Sequence, residues 1–238
     1  MGLLALAIAP GIVICLFIYF KDKYNKEPLG LMLLSFFTGM LAILPAIIIQ
    51  LALAKPVNQL MGEGVFYTAV FAFLIVGLSE EGSKFLALRL IPYRRRAFDD
   101  PFDGIVYAIM VGMGFATLEN IGYVLQHGWG TGILRMFLSV PAHATFAVLM
   151  GYYVGLARFD PLNRKKYMLL AVLWPVLFHG SFDFFLFVGN TWLYFAGALV
   201  SFFVGIKLSL KLIRRKQAIS KLQHEGIDGI TGMDHSIL

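Results

Sequence analysis

Three charged residues interrupt a long hydrophobic segment of this chain. Glu80, Glu81 and Lys84 lie within the stretch from Val65 to Ile91, which is otherwise rich in apolar residues. A charged side chain at membrane depth costs about 2.5–3.5 kcal/mol on insertion scales, so residues of this kind usually serve a function. On a helix, Lys84 reaches both glutamates, whereas the glutamates themselves point about 100° apart. We therefore expect one carboxylate to pair with Lys84 and the other to face a cavity.

Further polar residues occur at similar depth in three later hydrophobic segments. Glu119 and Asn120 are adjacent, and His143 lies in the next segment along the chain. His179 and Asp183 are four residues apart and therefore share a helix face. A carboxylate one turn from a histidine can fix its tautomer or join it as a metal ligand. The sequence thus predicts one polar constellation built from four helices.

This constellation carries a surplus of negative charge. Its four carboxylates stand against a single lysine, which leaves a net charge of −3 when the histidines are neutral. Such a charge in a low-dielectric bundle requires shared protons, charged histidines or a bound divalent cation. Shared protons and a metal both lead to an activated water, so the predicted reaction is hydrolysis. The cation suited to these ligand types is zinc, with candidate ligands Glu119, His143, His179 and Asp183.

Signatures of other hydrolases are absent from the sequence. The motifs HExxH and GxSG do not occur, and no histidine lies near Ser79 or Ser83 in the sequence. The single cysteine, Cys15, lies in an apolar run and cannot form an internal disulfide. These observations disfavour a serine mechanism and leave a base or a metal as the means of activating water.

The composition predicts an integral membrane protein. Of 238 residues, 59% are hydrophobic and only 14% charged, and the mean hydropathy is +0.77; soluble domains have about a quarter charged residues. The net charge of +6 does not indicate nucleic-acid binding, because the basic residues follow the ends of the hydrophobic segments. The predicted fold class is all-α, a polytopic transmembrane helical bundle of about seven spans in a lipid bilayer. The predicted spans are Leu3–Phe20, Leu29–Leu53, Val65–Ile91, Gly104–Leu125, Gly132–Ala157, Tyr167–Val188 and Thr191–Ile213.

The distribution of basic residues predicts the orientation of the bundle. All but three of the 20 lysines and arginines fall on one predicted side. The exceptions are Lys55 on the other side, and Lys84 and Arg135 within spans. Because basic connections stay in the cytosol, we expect the N-terminus outside and the C-terminus in the cytosol.

The chain is predicted to form a single domain. The transmembrane bundle covers residues 1–213, with a catalytic core at 65–188, and residues 214–238 form a cytosolic C-terminal tail. Gly151 and Gly155 form a GxxxG pair, which is typical of closely packed membrane helices.

The polar residues form an ordered set of four motifs. They are EExxK from Glu80, FxxxEN from Phe115, the single His143, and HxxxD from His179. This set resembles that of the PrsW family of intramembrane proteases, which is related to the CAAX prenyl endopeptidase and bacteriocin-processing clan. The resemblance covers roughly residues 65–188, about half of the chain.

The resemblance implies a function in a bacterial cell membrane. Members of the family cut membrane-anchored proteins, and the implied substrate is a single-span anti-sigma factor cleaved in the first step of a stress response. The resemblance leaves both a glutamate mechanism and a zinc mechanism open. The implied roles are water activation by Glu80 and Glu81 beside Lys84, and positioning of water or metal by Glu119 and His143. His179, oriented by Asp183, would stabilise the oxyanion, and Asn120 could also donate to it.

The depths of these residues predict an irregular third span. Counting along the spans places Glu80 and Glu81 towards the cytosolic half, but Glu119 and Asp183 towards the outer half. The groups can meet only if the third helix is tilted or broken. Gly77 and Gly82 bracket the glutamates and would permit a break, which the bilayer tolerates where the backbone faces protein or a wet cavity.

Two other functions are compatible with the same residues. Intramembrane carboxylates and histidines also relay protons in transporters, so a transporter or proton-coupled carrier is one alternative. The internal repeat that many transporters contain is not seen in the sequence. The other alternative is a non-catalytic clan member that acts as a binding or immunity protein. The sequence does not specify the oligomeric state.

Overall fold

The computed structural model describes residues 2–189 and 191–225, and within these ranges the regular structure is entirely helical. Asn190 and the predicted tail from residue 226 onwards lie outside the described residues. The segments are α1 (Gly2–Lys21), α2 (Leu29–Leu41), α3 (Ile43–Met61), α4 (Val65–Val70), a π-helical segment (Phe71–Gly77), α5 (Leu78–Leu90), a 3₁₀ turn (Pro92–Arg94), α6 (Asp103–Phe137), α7 (Ser139–Phe159), α8 (Arg164–Val188) and α9 (Trp192–His224).

Six of the described helical segments are long and apolar enough to cross a membrane. One of them, Asp103–Phe159, comprises both α6 and α7. These two helices run antiparallel, since Gly104 contacts Gly151 while Gly112 contacts Ala147. Counted separately they give seven candidate spans, and the all-helical structure confirms the predicted all-α transmembrane bundle.

Helix α6 lies at the centre of the bundle and packs on α1, α2 and α7. A Cβ atom at Gly114 would lie 1.9 Å from the carbonyl oxygen of Phe36 in α2, and one at Gly151 would lie 2.2 Å from that of Gly104. A Cβ at Gly155 would lie 2.9 Å from the oxygen of Pro101. The GxxxG pair therefore does allow close helix packing, as predicted, because only glycine leaves room for the neighbouring backbone.

The third span contains the predicted irregularity in a different form. Seven residues, Phe71–Gly77, are π-helical, and the hydroxyl of Ser79, two residues after this segment, donates to the carbonyls of Ile75 and Val76 within it. Helix α5 then passes through Gly82 without interruption. The wider π turn rotates the following residues around the axis, and such turns are frequent at functional sites. The irregularity therefore precedes Glu80 and Glu81, and the helix is not broken at Gly82.

Helix α6 has a sharp break near its far end. Gly128 has φ 75° and ψ −159°, a conformation that only glycine adopts easily. After this break, residues 129–137 return alongside the preceding turns, so that Gly132 lies against Val124 and Arg135 reaches Glu119. We call residues 129–137 the fold-back segment.

The two ends of the bundle differ in charge. The basic end is where α1 ends, α6 begins and α7 ends, and it holds most of the lysines and arginines. At this end α9 continues to His224, beyond the Ile213 at which the seventh span was expected to stop. Which end faces the cytosol stays a prediction.

Candidate active site

The predicted polar residues come together around one cavity of about 850 Å³. Glu119 lies nine residues before the break in α6, about 13 Å along a helix axis. It lies sixteen residues, about 24 Å, from the start of α6 at Asp103. The cavity is therefore nearer the end of the bundle opposite the basic end. Its lining includes Glu80, Glu119, Arg135, His143, His179 and Asp183.

The adjacent glutamates occupy different environments. Glu81 is fully buried, and its Oε1 lies 2.7 Å from Lys84 Nζ. Glu80 lines the cavity, and its Oε2 lies 3.6 Å from Lys84 Nζ and has no hydrogen-bond partner. This is the division that the helical spacing predicts, with Glu81 as the paired carboxylate.

His143 lies between a lysine and a carboxylate. Its Nδ1 is 3.0 Å from Lys84 Nζ, and its Nε2 is 3.0 Å from Glu119 Oε2. An ammonium group can only donate, so Nδ1 must accept. The ring proton of a neutral His143 is then on Nε2 and is donated to Glu119.

His179 lies between two carboxylates. Its Nδ1 is 2.8 Å from Glu81 Oε1, and its Nε2 is 3.2 Å from Asp183 Oδ2. A carboxylate is an acceptor, so this arrangement favours an imidazolium that donates from both nitrogens. The ring stacks on Phe146 at 4.9 Å and meets the His143 ring edge-on at 5.2 Å. These contacts hold both imidazoles in fixed positions next to Glu80.

Arg135 is a site residue that the sequence analysis did not place here. From the fold-back segment, its Nη2 lies 2.6 Å from Glu119 Oε2 and its Nε lies 3.0 Å from Asn120 Oδ1. Its guanidinium lies over the ring of Tyr123 at 4.0 Å. The available signal was its charge within a hydrophobic span, the same signal that identified Lys84. Arg135 adds one positive charge to the site, which reduces the net negative charge of −3 that the sequence analysis counted without it.

Gln50 is the second residue that the sequence analysis missed. It lies on α3, and its Nε2 donates to Glu80 Oε1 at 3.2 Å and lies 3.3 Å from Ser79 Oγ. A lone amide in the apolar second span was the available signal. This contact holds one oxygen of the Glu80 carboxylate, and the other, Oε2, lies 3.9 Å from His179 Nε2.

Asn120 serves the packing of the bundle rather than the cavity. It is fully buried, and its Nδ2 donates to the carbonyl of Ala7 in α1 at 3.0 Å. Its Oδ1 accepts the bond from Arg135. Because the amide is already committed to α1, the geometry does not offer it as the donor to an oxyanion that the resemblance implied.

The donor set around Glu80 fits a zinc ion. Ligand atoms of Glu80, His143 and His179 all lie within 4.8 Å of one another, and imidazoles with a carboxylate are typical catalytic zinc ligands. Each imidazole also has one nitrogen on a carboxylate, Glu119 for His143 and Glu81 for His179. Outer carboxylates of this kind orient ligating histidines.

This set differs from the ligands expected from the sequence. The group of possible ligands contains Glu80 with the two histidines. Glu119 and Asp183, which were expected as ligands, instead each contact one imidazole. A metal would compete with Lys84 for His143 Nδ1 and with Asp183 for His179 Nε2, because both ring nitrogens already have partners. Of the two nitrogens of His179, Nε2 is the one on the cavity side. Its partner Asp183 lines the cavity and is 13% exposed, whereas Glu81, the partner of Nδ1, is fully enclosed.

Comparison with known proteins gives a consistent result. A family model described as PrsW family intramembrane metalloprotease matches residues 27–209. A protein called Protease PrsW from Bacillus subtilis is 40% identical over 195 residues, which cover 82% of this chain and 87% of the relative. One from Geobacillus kaustophilus is 39% identical over 197 residues, covering 82% and 84%. One from Clostridioides difficile is 38% identical over 204 residues, covering 81% and 82%. No solved structure matches the chain.

Proposed function

Because this chain belongs to the PrsW family of intramembrane metalloproteases, we propose that it hydrolyses a peptide bond of a membrane-anchored protein in the cavity beside Glu80. The chain is an integral membrane protein of a bacterial type, with protease relatives that match it over most of their length. The proposed substrate is a protein with one transmembrane span, for example an anti-sigma factor.

One observation carries this proposal. Glu80 Oε2 is buried, has no hydrogen-bond partner and lies next to two imidazoles at the wall of a cavity. A buried carboxylate oxygen without a partner loses its solvation. Glu81 Oε2 also lacks a partner, but only the Glu80 side chain lines the cavity and lies within reach of both imidazoles as a ligand. A water, a zinc ion or both would satisfy Glu80 Oε2. Each supports the activation of water for attack on a carbonyl.

The chain's own residues divide the work of hydrolysis. Glu80 Oε2 is placed to take a proton from a water in the cavity, while Gln50 holds the other oxygen. His179, whose two ring nitrogens face Glu81 and Asp183, would stabilise the oxyanion that develops on the substrate carbonyl through its positive charge. Lys84 keeps Glu81 in position. In the alternative scheme, Glu80, His143 and a neutral His179 would hold a zinc ion, which would lower the pKa of its water to about 7 and polarise the carbonyl in place of Glu80 acting as the base.

The position of the cavity bears on where the substrate is cut. The cavity lies nearer the end of the bundle that is opposite the basic end. The positive-inside rule assigns the basic end to the cytosol and therefore the cavity end to the outer side. The scissile bond would then lie in the outer half of the substrate's span or just beyond it. The substrate helix must unwind locally there, because a helical peptide bond is shielded by its own hydrogen bonds.

Reconstituted protein provides the test. Purified protein in liposomes with a single-span anti-sigma factor should yield one defined product, and Glu80→Gln should yield none. Glu63→Gln, the same change at an exposed glutamate, should cut at the wild-type rate. Turnover by Glu80→Gln equal to that of the wild type would refute the proposal. Saturable solute uptake without cleavage of any single-span substrate would favour a transporter instead.

A further inference from the structure

Four pairs of neighbouring helical segments close the wall of the cavity by direct contacts. Helix α3 contacts α5, the π-helical segment contacts α8, α8 contacts α7, and α7 contacts α6. The contacts that join them in this order are Gln50 with Ser79, Phe71 with Phe187, His179 with Phe146, and Ala147 with Gly112. The wall is therefore a ring of helices, and the pair that completes it is α3 and α6.

Helices α3 and α6 meet on the basic-end side of the cavity. Ile43 and Ala46 of α3 are buried in one apolar cluster with Phe115 of α6. Beyond this cluster α3 packs on α4 instead, since the Tyr67 hydroxyl donates to the carbonyl of Ala54 at 3.4 Å. The contact between α3 and α6 thus closes the ring at the level of Phe115.

Further along both helices, side chains line the cavity and are also exposed on the outside of the bundle. On α3, Ile47 is 42% exposed and Leu51 is 76% exposed. On α6, Tyr123 is 41% exposed, and Gln126 and His127 are exposed as well. A side chain can do both only at the edge of an opening. We call this gap between α3 and residues 119–127 of α6 the lateral opening.

We propose that the transmembrane segment of the substrate enters the cavity from the lipid through the lateral opening and unwinds there between α3 and α6. This inference rests on the proposed function and deepens it, because it assigns the route by which a single-span protein reaches Glu80. The cavity at whose wall Glu80 lies is continuous with the lateral opening, since the residues at its edges line that same cavity.

The two edges of the lateral opening suit a peptide that is unwinding. The α3 edge is apolar, with Ile47 and Leu51, and matches the apolar side chains of a membrane span. The α6 edge carries a hydroxyl, an amide and an imidazole, on Tyr123, Gln126 and His127. Unwinding exposes backbone N–H and C=O groups that lipid cannot satisfy, and these polar side chains can bond them. A lipid tail has no such groups, so the polar edge favours a peptide as the occupant.

The length of the cavity limits how much of the substrate unwinds. Phe115 and His127 both line the cavity and are twelve residues apart on α6, about 18 Å along the axis. An extended chain spans at most about 3.3–3.6 Å per residue. About five extended residues around the scissile bond would therefore lie along this wall, while the rest of the span stays helical in the lipid.

Photo-crosslinking tests this route. The photoreactive amino acid p-benzoylphenylalanine replaces Leu51, or in a second variant Ile47, in the Glu80→Gln protein, so that a bound substrate is not cut. The matched control replaces Phe203 on α9, which is 60% exposed and lies away from the cavity. Phe203 is eleven residues from the start of α9 and Leu51 is ten residues from the end of α3, so the two positions have similar depth.

Illumination in liposomes with the single-span anti-sigma factor should give an adduct from positions 51 and 47. Its apparent mass should exceed that of the protease by one substrate chain. Position 203 should give no such adduct. Mass spectrometry should place the crosslink within about five residues of the bond that the wild type cuts. If the variant at position 51 does not fold, position 47 provides the same measurement.

Three results would overturn the inference. They are a substrate adduct from position 203 as abundant as those from positions 51 and 47, adducts of positions 51 and 47 with lipid alone, and a crosslink far from the cut bond. A wild type that cuts nothing would count against the proposed function instead. The comparison of the three positions would still decide whether the lateral opening admits a single-span protein.

Discussion

The adjacent glutamates should respond differently to the same substitution. Glu81→Gln removes a carboxylate that accepts from Lys84 at 2.7 Å and from His179 at 2.8 Å, with no access to solvent. Glu80→Gln replaces a carboxylate at the cavity wall that lies 3.6 Å from Lys84 and accepts a hydrogen bond from Gln50. The first change should therefore mainly cost stability, and the second should mainly cost activity.

The magnitude follows from the burial of these contacts. Removing one partner of a buried ion pair costs about 3–5 kcal/mol. For a chain of this size, each kcal/mol lowers Tm by about 2–4 °C. We expect Glu81→Gln to lower Tm by roughly 6–20 °C. Glu80→Gln should lower Tm less than Glu81→Gln, because its contact with Lys84 is longer at 3.6 Å, and should lower turnover at least about 100-fold, the range expected when a general base is lost.

The assay is thermal unfolding in detergent, followed by cleavage in liposomes at a temperature where both variants are folded. Glu63→Gln, at an exposed position, corrects for any general effect of a Glu→Gln change. A Glu81→Gln variant as stable as the wild type would refute the reasoning. So would a Glu80→Gln variant that loses as much stability as Glu81→Gln.

Three further predictions concern other parts of the molecule. Burial raises the pKa of Glu27 from its ordinary value of 4.5 to about 7, so the folded protein binds a proton more tightly than the unfolded chain and Tm should fall as pH rises from 5 to 7. Glu27→Gln should flatten this fall in Tm, and an unchanged slope would contradict the assignment. Gly151→Ala places a Cβ 2.2 Å from the oxygen of Gly104 and should lower the free energy of unfolding by about 1–3 kcal/mol, whereas Gly82→Ala meets no atom within 4 Å and should raise it by about 0.5–1 kcal/mol. Gln50→Leu removes the donor to Glu80 Oε1 and should lower kcat with little change in Tm; an unchanged kcat would exclude an orienting role.

Much of the fold was accessible from the sequence because the bilayer restricts the alternatives. A long apolar segment must form a helix that satisfies its own backbone, and so the seven crossings and the GxxxG contact followed from composition and spacing. The charged residues within those segments identified the cavity, because each is costly unless it is used. The charged and histidine residues of the motifs do meet, although they come from four helices, whereas Asn120 packs against α1.

The contacts that sequence reasoning missed depend on backbone irregularities. The fold-back segment exists because Gly128 adopts a positive φ, and nothing in the sequence pairs Arg135 with Glu119, sixteen residues earlier. The π turn at Phe71–Gly77 likewise sets which face Glu80 presents, and a glycine in a sequence does not reveal how the helix will adjust. The hydrogen bond from Asn120 to Ala7 of α1 also depends on long-range packing, which the sequence does not reveal.

The central claim is that residues from three different helices act as one catalytic unit. Cleavage rates in liposomes for Glu80→Gln, His143→Gln, His179→Gln and the triple variant test it directly. Each single change should lower turnover at least about 100-fold, and the triple variant should be no slower than the slowest single variant, because groups that act together are lost together. Losses that multiply in the triple variant, or full turnover in any single variant, would contradict the claim.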